Sequence, residues 1–122
     1  MSDNRNQPKP RKAFIVTRLS EFYDAVQGTL WELGYTADEQ IRTIKEAIDK
    51  LMEAPSMVIV DSRFEKVAKT ELQRLINACK KFGITIHVIL EALKLRPLVA
   101  QMKLEKLAFA SASKNQSYHQ LR

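Results

Sequence analysis

Hydrophobic positions along the chain fall into short apolar runs, separated by longer stretches with helical spacing. The three runs are rich in β-branched and large apolar residues, and they occupy 13–17 (AFIVT), 57–61 (MVIVD) and 84–89 (ITIHVI). Such runs predict strands. The second run is apolar without alternation, which is typical of a parallel strand covered on both faces. The pattern therefore predicts a short parallel sheet of three strands.

The stretches between these runs predict helices. Apolar residues repeat every three or four positions from Leu19 to Leu33, and Gly34 follows as a helix-ending residue. Residues 36–55 predict a second helix, because Thr36 and Glu39 form a capping box and Pro55 ends the pattern. A long helix is predicted over 64–82, and a further one over 97–110.

The order of these elements predicts an α/β domain of two or three layers, with the sheet flanked by four to five helices. Residues 57–89 read as one strand–helix–strand unit with a right-handed crossover. The alternative is an all-α fold with a helix-turn-helix at 72–93. A recognition helix needs polar side chains that reach base edges, and 84–90 offers only Thr85 and His87.

Length and composition indicate one domain with polar ends. The chain has 122 residues and a single cysteine, so an intrachain disulfide is excluded. Residues 1–12 lack apolar residues after Met1 and predict a disordered basic arm. Residues 13–110 form the predicted α/β domain, and 111–122 a flexible tail. No signal-peptide core and no membrane-length apolar run is present, so we expect a cytoplasmic protein without membrane contact.

Charge is unevenly distributed along the chain, whose net charge is +6. Residues 1–12 hold four basic residues and one acidic residue, whereas 13–53 hold four basic and eight acidic residues. Residues 64–122 hold eleven basic and four acidic residues. An excess of positive charge in the arm and the second half favours polyanionic partners, and it also serves solubility alone.

The sequence contains no recognisable arrangement of catalytic or cofactor-binding residues. Three glycines cannot build a phosphate-binding loop, and His87, His119 and Cys79 lack metal-ligand spacing. We therefore expect no enzyme activity, no cofactor and no metal site. One polar group stands at a strand end: Asp61 with Ser62 and Arg63. Its carboxylate either pairs with Arg18 or a ribose hydroxyl, or caps the helix that follows.

The leading functional hypothesis is a non-enzymatic protein that binds DNA or RNA through phosphate contacts. Ammonium and guanidinium groups neutralise phosphates and release counterions, and they line one side of the predicted helix 64–82. The alternative for that side is an ordinary solvated face. The predicted nucleic-acid-binding residues, in the arm and on this helix, are Arg5, Lys9, Arg11, Lys12, Lys66, Lys69, Arg74, Lys80 and Lys81.

Two other hypotheses are kept. The helix 97–110 has apolar residues over more of its circumference than one core contact needs, which favours an adaptor, regulator or inhibitor that docks a protein partner or a second copy. The predicted partner-binding residues are Leu98, Met102, Leu104 and Phe109. Residues 12–35 resemble the first strand-helix unit of flavodoxin-like or TIR-like domains, which implies a nucleotide-handling enzyme, although no diagnostic residue accompanies the resemblance.

Overall fold

Every strand pair in the computed structural model, which describes residues 11–101, is parallel. The strands are β1 (Arg11–Val16), β2 (Tyr35–Thr36), β3 (Gln40–Ile41), β4 (Met57–Asp61) and β5 (Thr85–Ile89). The helices are α1 (Ser20–Glu32), α2 (Ile44–Lys50), α3 (Phe64–Val67), α4 (Lys69–Phe82) and α5, of which 95–101 is described. Short 3-10 turns follow α2 at Leu51–Glu53 and precede α5 at Ala92–Lys94.

The sheet winds outward from β1 in both directions. β2 and β3 pair with the same edge of β1, at Arg11–Lys12 and at Ile15–Val16. The chain then crosses to the other edge, where β4 pairs with β1 and β5 pairs with β4. This is a doubly wound arrangement, and its direction of winding reverses between β1 and β4.

Residues of alternate parity along the strands face two separate cores. Ile15 and Ile59 face the side covered by α1 and α5, where Val26, Leu30 and Val99 are buried. The alternate strand residues face the other side, which α2 and α4 cover and where Leu75 is fully buried. The α/β class is thus confirmed, with three layers and a sheet larger than predicted.

The helix-turn-helix alternative is wrong, because Thr85–Ile89 forms β5 beside β4. Gly83 ends α4 with a φ of 69°, a left-handed conformation that glycine adopts at little cost. The N–H of Ile84 donates to the carbonyl of Cys79 at 2.8 Å, which turns the chain into the strand. β5 lies at the outer edge of the described sheet, and four of its five residues are only half-buried.

The predicted helix over 36–55 is wrong in its first half. β2 and β3 occupy that half, and α2 begins only at Ile44. Thr43 is the actual cap, since its Oγ1 accepts the N–H of Glu46 at 3.1 Å. The physical reason is the need of β1 for a partner: the backbone of β2 and β3 supplies hydrogen bonds to an edge of β1 that would otherwise be unpaired.

Two further boundaries differ from the predictions. β1 begins at Arg11, so Arg11 and Lys12 belong to the sheet and not to an arm. The helix predicted over 64–82 is broken at Ala68, whose backbone has φ −146° and ψ 46°. The arm before residue 11, the tail 111–122 and most of the helix 97–110 lie outside the described residues. Within 11–101, none of the helices is both long and apolar enough to cross a bilayer.

Candidate nucleic-acid interface

Helix α4 presents one buried side and one charged side. Leu72, Leu75 and Cys79 recur at three- and four-residue spacing and are buried against the sheet and α2. Burial raises the pKa of the Cys79 thiol to about 11, so this cysteine packs as a small hydrophobic residue and is not a nucleophile. The sheet and α2 therefore hold the other side of α4 in a fixed position toward solvent.

That outer side carries four of the predicted cations, and together with a fifth on the preceding helix α3 they form what we call the basic face. All five are exposed, and none takes part in an ion pair within residues 11–101. Unpaired surface cations keep their full charge for a partner. The basic face consists of Lys66 on α3 and, on α4, Lys69, Arg74, Lys80 and Lys81.

The last turn of α4 concentrates this charge. Lys80 and Lys81 lie where the unpaired carbonyls of a helix end favour cations, which stabilises the helix as well as the charge cluster. The ammonium of Lys81 lies 5.9 Å from the centroid of the Phe82 ring, a cation–π distance. Because α4 leads into β5, this turn lies at the end of the sheet where the parallel strands have their N-termini.

Two amides between the cations bond to each other. Gln73 Nε2 donates to Asn77 Oδ1 at 3.0 Å on the exposed side of α4. Hydrogen bonds to the edges of bases require free donors and acceptors, and this pair already uses one of each. The basic face is therefore suited to phosphates more than to a particular base sequence.

Of the predicted arm residues, the structure describes two, and they behave differently. Lys12 pairs with Glu53 and lies 5.6 Å from the Phe14 ring centroid, so its charge is already committed within the fold. The hydrogen bond from Lys12 lowers the pKa of Glu53. Arg11 is exposed at the start of β1, at the same sheet edge as the end of α4. Arg5 and Lys9 lie outside the described residues.

At the opposite end of the sheet, where the strands have their C-termini, Asp61 is buried. It connects the loop after β1 with the loop after β4. Its Oδ2 accepts from the Thr17 hydroxyl at 2.7 Å, and its Oδ1 accepts from Arg63 N and Nη1, both at 3.0 Å. Asp61 thus organises the turn before α3 without capping the helix, because Arg63 precedes α3 and no side chain among the described residues accepts from the first backbone N–H groups of α3. Arg18 does not pair with it; the guanidinium of Arg18 lies 5.7 Å from the Phe64 ring centroid.

Of the predicted partner-binding residues, only Leu98 is described. It is half-buried on α5 and packs against the core beside Leu95 and Val99. Its side chain therefore serves the fold at least in part. Met102, Leu104 and Phe109 lie outside the described residues.

Two large apolar side chains lie in solvent, Met52 in the 3-10 turn after α2 and Phe82 at the end of α4. Met52 is 93% exposed and Phe82 is 62% exposed, and both line a cavity of about 470 Å³ at the edge where β4 and β5 begin.

Comparison with models of known protein families, with curated proteins and with solved structures found no match. Within residues 11–101, no three His, Cys, Asp or Glu residues are grouped as metal ligands.

Proposed function

We propose that the protein binds nucleic acid through its basic face, by phosphate contacts that are independent of base sequence. The observation that carries the proposal is the exposure of these five cations without ion pairs in the described chain, four of them on the side of α4 turned away from the core and Lys66 on α3. Each such group can neutralise a phosphate and release a counterion, which is the main source of sequence-independent affinity. A cytoplasmic location remains part of the proposal.

The size of the basic face sets the expected affinity. From Lys69 to Lys80 the helix advances about 16 Å, which is about five phosphate steps along one strand of a duplex. With five contacts at most, the logarithm of the binding constant should fall with the logarithm of salt concentration at a slope no steeper than about −4.5 for a duplex. Phe82 is the only aromatic ring on α4, so stacking on single-stranded bases adds little.

The test is a titration of labelled duplex DNA, single-stranded DNA and RNA, followed by fluorescence anisotropy at several salt concentrations. The variant Lys66→Glu, Lys69→Glu, Arg74→Glu should bind at least about a hundredfold more weakly at low salt and lose about 2.7 from the duplex slope. Its fold should persist, because all three side chains are exposed.

A matched control separates the basic face from net charge. The variant Arg42→Glu, Lys45→Glu, Lys94→Glu changes the net charge equally at exposed cations outside the basic face that have no ion pair in the described chain. It should retain most of the affinity. Equal losses in the two variants would reduce the effect to net charge. Failure of the unmodified protein to bind any of the three probes at about 50 mM salt would disprove the function.

A further inference from the structure

A second surface lies on the opposite side of the sheet from the basic face. α1 and the segment 35–38 enclose a cavity of about 360 Å³. On α1 its wall consists of residues three or four positions apart, which therefore share one side of the helix. The α1 residues of this wall are Asp24, Gln27, Gly28 and Trp31.

Trp31 is the largest exposed side chain of the wall. It is the only tryptophan of the chain, and 66% of it is exposed. The buried stripe of α1 consists of Phe22, Val26 and Leu30, so the indole contributes little to the core. A large exposed aromatic surface at the mouth of a cavity is a feature of binding sites.

The cavity also carries unpaired negative charge. Asp24 and Asp38 line it, and neither has an ion pair within residues 11–101. Neighbouring Glu32 and Glu39 differ, since they pair with Arg96 and Lys50. The pKa of the Tyr23 hydroxyl beside this wall is raised, first by burial and then by the charges of Asp38 and Asp24.

The wall of the cavity is fixed by hydrogen bonds. Gln27 Nε2 donates to the Ala37 carbonyl at 2.6 Å and to the Tyr23 hydroxyl at 3.0 Å, and the same hydroxyl donates to Ala37 at 3.0 Å. These bonds tie α1 to the segment after β2. Gly28 leaves space beside Trp31, because a Cβ built there meets nothing within 4 Å. The cavity is therefore present before any ligand arrives.

We propose that this cavity binds an arginine side chain of a basic segment of another protein, with the guanidinium over the Trp31 ring and between the carboxylates of Asp24 and Asp38. Tryptophan is the aromatic residue most favourable to cations, and a planar guanidinium both stacks on it and donates to carboxylates. Because the basic face lies on the other side of the sheet, nucleic acid and a basic partner can bind at once.

The experiment uses the emission of Trp31, which a stacked cation changes. A capped tetra-arginine peptide is titrated into the full chain at constant salt, and capped tetra-citrulline serves as its neutral counterpart. We expect a saturable change with arginine alone. Asp24→Asn and Asp38→Asn should each weaken binding by about threefold, and the exposed Asp49→Asn on α2 should leave it within about twofold.

A shape variant distinguishes loss of the site from loss of the fold. Gly28→Leu fills the cavity beside Trp31 and replaces glycine within a helix by a better helix former. It should abolish the emission change without lowering the melting temperature. The proposal is overturned if citrulline acts like arginine, if Asp49→Asn weakens binding as much as Asp38→Asn, or if Gly28→Leu binds normally. A change in emission with protein concentration alone would show that a second copy occupies the cavity, which also overturns it.

Discussion

Helices α1 and α4 cover opposite faces of the same sheet. They are similar in length and in the number of side chains they bury, but they differ in charge. They have 13 and 14 residues, and each buries three side chains at helical spacing. α1 has three acidic residues and no basic one, whereas α4 has four basic residues and one acidic residue. The buried sides of the two helices are both apolar, whereas their exposed sides carry opposite charge.

This difference separates what folding demands from what folding leaves free. A buried stripe of three residues anchors each helix, and hydrophobic burial supplies most of its stability in the fold. The core does not require cations on the solvent-facing side of α4. Nor does it require a tryptophan and carboxylates on the solvent-facing side of α1. Segregation of charge across the sheet therefore provides two chemically distinct surfaces, which is why we assign them different partners.

The two faces are joined at Thr17, and breaking this joint should have the largest effect on stability. Thr17 Oγ1 donates to buried Asp61 before α3 and accepts the Leu19 N–H before α1. Thr17→Val should lower the free energy of unfolding by about 1–3 kcal/mol, since a buried carboxylate oxygen loses its donor. Urea unfolding measures this. Thr29→Val is the control, because it loses a hydroxyl hydrogen bond at an exposed site. It should lower the free energy of unfolding by less than about 0.5 kcal/mol.

Glycines in and after the two helices should respond with opposite sign. Gly28 lies inside α1 with free space around it, so Gly28→Ala should raise the free energy of unfolding by about 0.5–1 kcal/mol. Gly83 follows α4 with a φ of 69°, so Gly83→Ala should lower it by about 1 kcal/mol. Thermal unfolding of both variants measures the difference. Shifts of the same sign would contradict the assigned backbone conformations.

The smallest effect should come from His87, which lies on the α1 side of β5. Burial lowers the pKa of its imidazole below the ordinary value of 6.5, and its Nε2 has no hydrogen-bond partner within the described residues. The unfolded chain then binds a proton more readily, so the free energy of unfolding should decrease as pH falls through 6.5 toward the folded pKa. Urea unfolding between about pH 7.5 and 5.5 should show a shallower decline for His87→Gln. An equal decline would exclude His87 as the cause.

The sequence predicts those elements of the fold that burial alone decides. β4 is found over the predicted residues, because its continuous apolar run fits the interior of a sheet. β5 lies within the predicted run, although it is the outer strand of the described sheet and is mostly half-buried. The window 36–55 contains two capping signals, at Thr36 and at Thr43, and local propensity does not choose between them. Pairing of β2 and β3 with the free edge of β1 decides that α2 begins after Thr43. This pairing is a long-range contact.

The candidate sites divide in the same way. Exposure of Lys66, Lys69 and Arg74 follows from their angle to the buried stripe, which the sequence contains. The commitment of Lys12 to Glu53 depends on a contact across 41 positions, and the cavity beside Trp31 depends on where segment 35–38 packs. Such juxtapositions arise from topology, so residue spacing within one element cannot reveal them.

The interrupted outer strand of the sheet, made of β2 and β3, has a consequence for behaviour at high concentration. Each piece pairs over only two residues, so neither offers a long row of backbone donors and acceptors to a neighbouring molecule. Growth of a continuous sheet from one protein copy to the next is disfavoured along this border. Crowding of many copies is thus not expected to seed fibres along this border.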